Sequence, residues 1–313
     1  MNIPITQSRE WQKLQNDLKE TSFFEKTESY QYLAILKHTP VGNYLYLPYG
    51  PVAENEKAFK QALKSLNELA KSKNAIFIRI EPQDPNQAKL LPKNTKKSKD
   101  LNPKDTWVLD LTAAKEDILH NFSQGTRTRY NTFAKKGLKV LKSTDPGDIH
   151  QLVSLQQKLA REKHIHAYPE DYLKAELAQP FATLYTVVFD GETAENLPNK
   201  GDILAASLFF DFQDTRYYMQ SAADSTFKKL PATVALLATA IFDAKEKGMK
   251  NFDFWGIAPD GASTDHPWYG FTEFKKSFGG NEVHYAGTYD IVLRPSKYQI
   301  YQSLRKLNRF FRV

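Results

Sequence analysis

Residues 216–224 read RYYMQSAAD, residues 231–248 read PATVALLATAIFDAKEKG, and residues 251–257 read NFDFWGI. The first and last are short aromatic and β-branched runs bounded by polar turns, the signature of strands. The middle stretch opens on Pro231 and closes on Gly248, the asymmetry that marks a helix start and stop. A strand, a helix and a strand in succession define an α/β unit. The same order occurs earlier. YLYLPYG (44–50) is followed by AFKQALKSLNELAKSK (58–73), with apolar Phe59, Leu63, Leu66 and Leu69 at helical spacing, and then by the buried strand AIFIRIEP (75–82). Two copies of one pattern predict two similar α/β domains with a cleft between them.

Around these copies, SFFEKT and YQYLAILKH read as strands, TLYTVVFDG and ILAASLFFDF as a hairpin across a polar loop, and TWVLDL as a strand ending at Asp110. Residues 83–105, rich in Pro, Asn and Lys, read as a surface loop. EDILHNFSQGTRTRYNTFAKKG, DIHQLVSLQQKLAREKH and PEDYLKAELAQ read as helices.

Composition narrows the chemistry. The chain of 313 residues is long enough for two domains, and its 20 Phe, 16 Tyr and 4 Trp supply ample core. With no cysteine there is no disulfide, thiolate metal site or cysteine nucleophile. The nearest histidine pair, His164 and His166, is two apart and cannot present both rings on one helical face, so no metal site is expected. The opening MNIPITQSREW carries neither the charged nor the apolar region of a secretory signal, and no run reaches the length of a membrane span, so a cytoplasmic protein is expected. A net charge of +7 points to a phosphate-bearing partner such as RNA, a nucleotide or an acidic lipid surface. There is no GxxxxGK[ST], GxGxxG or GxSxG. Ser263, Asp265 and His266 fall together in PDGASTDHPWYG, but sequence neighbours seldom form a triad, and the stretch reads as a loop.

Within YGFTEFKKSFGGN (269–281), helical geometry puts Phe271, Phe274 and Phe278 on one stripe, Lys275 on its flank and Lys276 nearly opposite. A Lys275 amine at the edge of an aromatic pocket would have a perturbed pKa and would stabilise developing negative charge; a snorkelling lysine is the plain alternative. Gly279 and Gly280 read as a C-cap. Arg127, Arg129, Lys135 and Lys136 gather on one segment that can face phosphate or simply face water. Asp110 and Asp253, each near a strand end, can orient an amine or cap a turn. The C-terminal SKYQIYQSLRKLNRFFRV reads as a basic amphipathic helix with Tyr298, Tyr301, Leu304, Leu307 and Phe311 on one side, for packing or for a membrane-surface contact.

Taken together, QSREW (7–11), YLYLPYGPV (44–52), VLDLT (108–112), TRYNTFAKKGLKV (128–140), RYYMQSAAD, KNFDFWGI, FTEFKKSFGG (271–280) and YAGTYDIVLRPSKYQIY (285–301) resemble the Fem family of aminoacyl-tRNA-dependent peptidyltransferases. The family attaches amino acids to the side-chain amine of peptidoglycan precursors. The resemblance implies two tandem domains of the GNAT type, the fold of acetyl-CoA-dependent N-acetyltransferases, with the C-terminal end returning to the first. The division expected is 1–145 with 290–313 on the precursor side, and 146–289 carrying the FK motif. It resembles the short members without a coiled-coil arm. The GNAT pyrophosphate loop would fall at FKKLPAT (227–233), which has no glycine; no cofactor is expected, and a coenzyme A cradle is disfavoured.

By the same resemblance Lys275 is the catalytic lysine and Phe274 shapes the tRNA-end site. Lys13 falls near a lysine that binds substrate phosphate, and Tyr172 matches a substrate-contacting tyrosine. Tyr49 stands where members often have Arg or Lys before GPV, Tyr168 stands where an arginine grips the precursor diphosphate, and Gln220 fills a tyrosine position beside Tyr218. The implied partners are aminoacyl-tRNA and UDP-MurNAc-pentapeptide or lipid II, at the inner face of the plasma membrane for the latter, with a monomeric enzyme. An acyl-CoA-dependent N-acyltransferase and a catalytically silent RNA- or membrane-binding protein are the alternatives.

Overall fold

Seven strands pair into each of two sheets. The computed structural model describes residues 3–163, 167–192 and 194–310; the histidine pair 164 and 166 and Phe311 lie outside them. Two compact units are formed, residues 1–104 with 284–313 and residues 105–283. Among the described residues no helix is long and apolar enough to cross a membrane.

The first unit begins with α1 (Arg9–Asp17), then β1 (Ser22–Lys26), β2 (Tyr30–Thr39), β3 (Gly42–Leu47), β4 (Val52–Ala53), α2 (Glu56–Ser72), β5 (Ala75–Ile80) and β6 (Thr95–Lys97). β3 and β5 run parallel with α2 as the crossover, as the strand–helix–strand pattern requires. Asn55 caps α2 by accepting the Ala58 N–H. Its buried stripe is Phe59, Ala62, Leu66 and Ala70, so the small alanines, rather than Leu63 and Leu69, set how closely the helix approaches the sheet. The loop expected over residues 83–105 contains β6 and a turn of 3-10 helix.

The second unit carries β7 (Asp105–Asp110), α3 (Lys115–Asn121), α4 (Gln124–Thr132), β8 (Leu138–Ser143), α5 (His150–Lys163), α6 (Glu170–Leu177), β9 (Ala182–Phe189), β10 (Ile203–Phe212), β11 (Thr215–Ala223), α7 (Ala232–Glu246), β12 (Asn251–Gly256), α8 (Tyr269–Lys276) and β13 (Asn281–His284). The sheet runs β13-β7-β12-β11-β10-β9-β8. Again β11 and β12 are parallel across a helix, α7, which is apolar over most of its surface and buried in the core except at its charged last turn. Residues 105–145, which the sequence division gives to the first domain, pair here instead: β7 joins β12 and β8 joins β9. Strand order across a sheet depends on long-range pairing that local patterning does not register.

The chain then returns to the first sheet as β14 (Tyr289–Val292), between β5 and β6, and ends in α9 (Pro295–Phe310). The return is fixed by a buried ion pair. Arg79 on β5 donates from Nε and Nη2 to Asp290 on β14 at 2.7 and 2.8 Å, and the Tyr298 phenol of α9 donates to the same carboxylate at 2.8 Å. QSREW is a structural signature. The Gln7 amide donates to Pro48 O at 2.8 Å and accepts Leu33 N at 2.8 Å, and a Cβ on Gly50 would lie 2.3 Å from that amide, so a larger residue there would displace it from these bonds. Ser8 caps α1.

Candidate functional site

The site grows from the place where β11 and β12 part. They pair only from Thr215 to Tyr217 against Asn251 to Asp253. Beyond that, β11 shifts register against β10 between Leu208 and Phe209, β12 shifts against β7 between Asp253 and Gly256, and Trp255 sits at φ +64°. Such irregularities re-aim backbone groups at functional sites. The Gly256 carbonyl accepts the Lys275 ammonium at 2.6 Å.

Lys275 comes from α8, which Thr272 ties to the loop after β12 by accepting the Ala258 N–H at 2.8 Å. Lys275 is only 8% exposed. Its ammonium lies 5.0 Å from the Phe271 ring centroid and 5.9 Å from that of Tyr218, where the ring faces attract the cation. Burial lowers its pKa from 10.5 to about 8, with Asp253 pulling the other way. The Asp253 carboxyl is itself buried and raised by desolvation, and it accepts the Thr106 hydroxyl and the Trp255 N–H, the latter at 2.7 Å. Thus Asp253 is both a turn carboxylate and a neighbour of the amine. A lysine near neutral pKa can exchange a proton at physiological pH and can stabilise an oxyanion in a water-poor setting.

The aromatic stripe departs from the helical expectation. Phe271 is exposed, Phe274 is half-buried and meets Phe278 edge-on at 5.3 Å, and Phe278 is fully buried but lies past the helix end. The buried residues of α8 are Thr272 and Lys275. Lys276 is a surface charge as expected, 3.6 Å from Glu273 and 5.5 Å from the Trp107 ring centroid. Gly279 closes the helix, but Gly280 does a different job: its added Cβ would lie 2.5 Å from Val108 O, so this backbone passes directly against β7.

A second cluster joins three of the singled-out residues. Tyr168 is half exposed and stacks on Tyr172 at 5.4 Å. The Tyr172 and Gln220 side chains both adjoin the Glu176 carboxyl, which is completely buried, with neither oxygen properly hydrogen-bonded. Desolvation pushes Glu176 up to about 8 and, with the adjacent carboxyl, raises Tyr172. Glu176 was not anticipated. Its signal was present, a carboxylate four residues after Tyr172 and flanked by the core positions Leu173 and Leu177. Tyr218 is held by its hydroxyl donating to Ser221 at 2.6 Å.

The remaining candidates scatter. Asp110 accepts the Thr112 N–H at 2.7 Å, is exposed, and is lowered by that bond. It opposes Asn251 while Gly256 opposes Thr106, about 13 Å along the strand, so it is a turn carboxylate apart from Lys275. Arg129 is exposed on α4, whereas Arg127 is spent on the Phe122 carbonyl at 2.8 Å. Lys13 is exposed on α1 of the first unit. Tyr49, also there, is buried and donates to Pro103 O at 2.7 Å. Just before residues 227–233, the Thr226 N–H is bonded to the Asp224 carboxylate at 2.9 Å, which leaves a negative charge beside the place where a coenzyme diphosphate would need free donors.

The fold is of tandem GNAT-like build. The chain belongs to the FemAB family, whose sequence pattern matches residues 4–101 and 190–306, and it is a Fem-type transferase of peptidoglycan branching. No curated protein sequence matches it. Among solved structures it is similar to FemX, with a TM-score of 0.82 at 18% identity over 96% of this chain and 94% of that one. It is also similar to L-PGS from Bacillus licheniformis, with a TM-score of 0.60 at 13% identity over 93% and 94%. A tandem GNAT protein from the clavulanic acid biosynthesis pathway gives 0.51 at 12% identity over 85% and 80%.

Proposed function

We propose that this protein transfers an amino acid from aminoacyl-tRNA to the side-chain amine of the stem peptide in a peptidoglycan precursor. The observation that carries the reading is the buried Lys275 ammonium, brought to a pKa of about 8 and donating to Gly256 O in the wedge between β11 and β12. Family membership supports the precursor as acceptor.

The chemistry asks mainly for placement. The acceptor amine attacks the ester carbonyl of the aminoacyl group, forming a C–N bond and a tetrahedral oxyanion. Lys275 stabilises that oxyanion as a charged donor in a site where solvent screening is weak. Collapse breaks the C–O ester bond; Lys275 gives its proton to the departing ribose oxygen and regains one from the new amide nitrogen. A pKa near 8 suits both directions of that exchange. Phe271 and Tyr218 line the ammonium, while Phe274 packs behind it against Phe278. Tyr172 and Gln220, beside the buried Glu176 carboxyl, are polar groups suited to acceptor recognition, and Tyr168, Lys13 and Arg129 are exposed groups free to meet phosphate.

The test is transfer of labelled amino acid from a total aminoacyl-tRNA pool to purified nucleotide-linked and lipid-linked precursors. Label appearing on one precursor supports the reading and names the acceptor. No transfer to either, from pools that a known Fem enzyme uses, would overturn it; stabilisation by acyl-CoA in that case would redirect the chemistry to a coenzyme-dependent acyl transfer.

A further inference from the structure

The first unit holds a cavity of about 970 Å³ between the β2–β3 turn, the segment around β6, and α9. Its cationic lining comprises Lys96, Lys97, Lys99, Arg305 and Lys306, and among the described residues no carboxylate lines it. Part of its wall is rigid: Tyr298 is buried and bonded to Asp290, and Gln302 donates to the Tyr298 hydroxyl at 2.7 Å. Arg305 reaches Ser98 at 3.3 Å, which keeps α9 and the β6 segment in register. Lysines on a short edge strand serve against aggregation. Edge protection does not account for the arginine and lysine that α9 adds to the same cavity.

The second observation is the outer face of α9. The expected stripe Tyr298, Tyr301, Leu304, Leu307 advances in steps of three and therefore drifts by about 60° per step around the helix. The structure splits it accordingly. Tyr298 and Tyr301 pack inward on Phe77 at 5.2 and 5.0 Å. Leu304 and Leu307 turn outward with Ile300, exposed by 38%, 51% and 53% respectively. Those three, at i, i+4 and i+7, make one aliphatic row on the solvent side, and Leu304 also lines the basic cavity.

The geometry points to this surface as a docking site for an anionic phospholipid bilayer, with the cavity receiving lipid phosphate and Ile300, Leu304 and Leu307 entering the acyl boundary. Charge complementarity selects an anion, and the aliphatic row selects a bilayer over RNA, which has nothing to bury such side chains against. The inference does not depend on the transfer reading, because it concerns binding alone.

The experiment is co-sedimentation of the full chain with phosphatidylglycerol–phosphatidylcholine vesicles and with phosphatidylcholine vesicles, beside binding of an RNA hairpin. At about fivefold per basic residue removed from an anionic surface, Lys96→Gln with Lys97→Gln should weaken binding to the anionic vesicles roughly thirtyfold. Leu304→Ser with Leu307→Ser should weaken it about tenfold or more. Lys60→Gln with Lys64→Gln, an equal charge change on exposed residues of α2, which packs on Ile78 and Ile80 while α9 packs on Phe77, should leave it within about twofold. All four positions of the first two variants are exposed, and an unchanged thermal transition verifies their folding. Equal binding to both vesicle types, or an equal loss in the control variant, overturns the proposal. So does a loss of hairpin binding in the Lys96/Lys97 variant with vesicle binding intact, which would make the cavity an RNA site.

Discussion

Replacing Lys275 by methionine should remove transfer and yet stabilise the protein at neutral pH. Burial brings the ammonium from 10.5 to about 8; at about 1.36 kcal/mol per pH unit, holding the charge inside costs about 3 kcal/mol. The unfolded chain keeps this proton up to pH 10.5 while the folded chain releases it near 8, so between those values the unfolded state binds more protons and stability rises with pH. The cost is therefore fully felt below pH 8 and relieved above 10.5. Methionine removes it but forfeits the bond to Gly256 O, about 1.5–3 kcal/mol for a charged donor. A net gain of up to about 1.5 kcal/mol at pH 7 remains, a rise of up to about 6 °C in the transition of a unit this size. Calorimetry of both proteins at pH 7 and pH 10 should show the advantage narrowing toward zero at the higher pH. A variant less stable than wild type by the same amount at both pH values would refute the reasoning and make Lys275 a structural strut.

Glu176, raised from 4.5 to about 8, loses stability for the fold as pH climbs through that interval. Glu176→Gln should therefore gain about 3–5 kcal/mol at pH 8 and almost nothing at pH 4, read from urea midpoints. Breaking the Arg79–Asp290 pair by Asp290→Leu leaves a buried guanidinium and should cost about 3–5 kcal/mol, while adding Arg79→Met should recover much of it in the same unfolding assay. Gly280→Ala forces a Cβ to within 2.5 Å of Val108 O at φ +105°, and should destabilise the fold by more than about 1 kcal/mol, read as a lowered thermal transition.

The parallel core of each sheet was legible because aromatic strands flank a helix with clear ends: Tyr44 to Gly50 and Arg216 to Asp224 announce themselves. β8 was not. Its LKVLKS sequence puts Lys139 and Lys142 outward at an edge, and a lysine-rich edge strand resembles a loop. Lys275 was found because its spacing against Phe271 and Phe274 put an amine among aromatics, although the phenylalanine expected to be buried, Phe271, proves exposed and the lysine buried. Asp253 was ambiguous from its position alone, since a strand-end carboxylate serves a turn or an amine, and here it serves both. Glu176 went unread because the pattern of a helix records which face is buried, whereas the cost of a carboxylate on that face emerges only when Gln220 arrives from a strand 44 residues away.

The central claim is that Lys275 acts on the reacting ester rather than on the fold. Single-turnover transfer from aminoacyl-tRNA should be measured for wild type and Lys275→Met from pH 6 to pH 9, with precursor binding followed in parallel. The account predicts a wild-type rate that changes through pH 8, a loss of about a hundredfold or more in the variant, and precursor binding kept within a few-fold. Transfer by Lys275→Met at the wild-type rate, or a rate lost only in proportion to precursor binding, would contradict it.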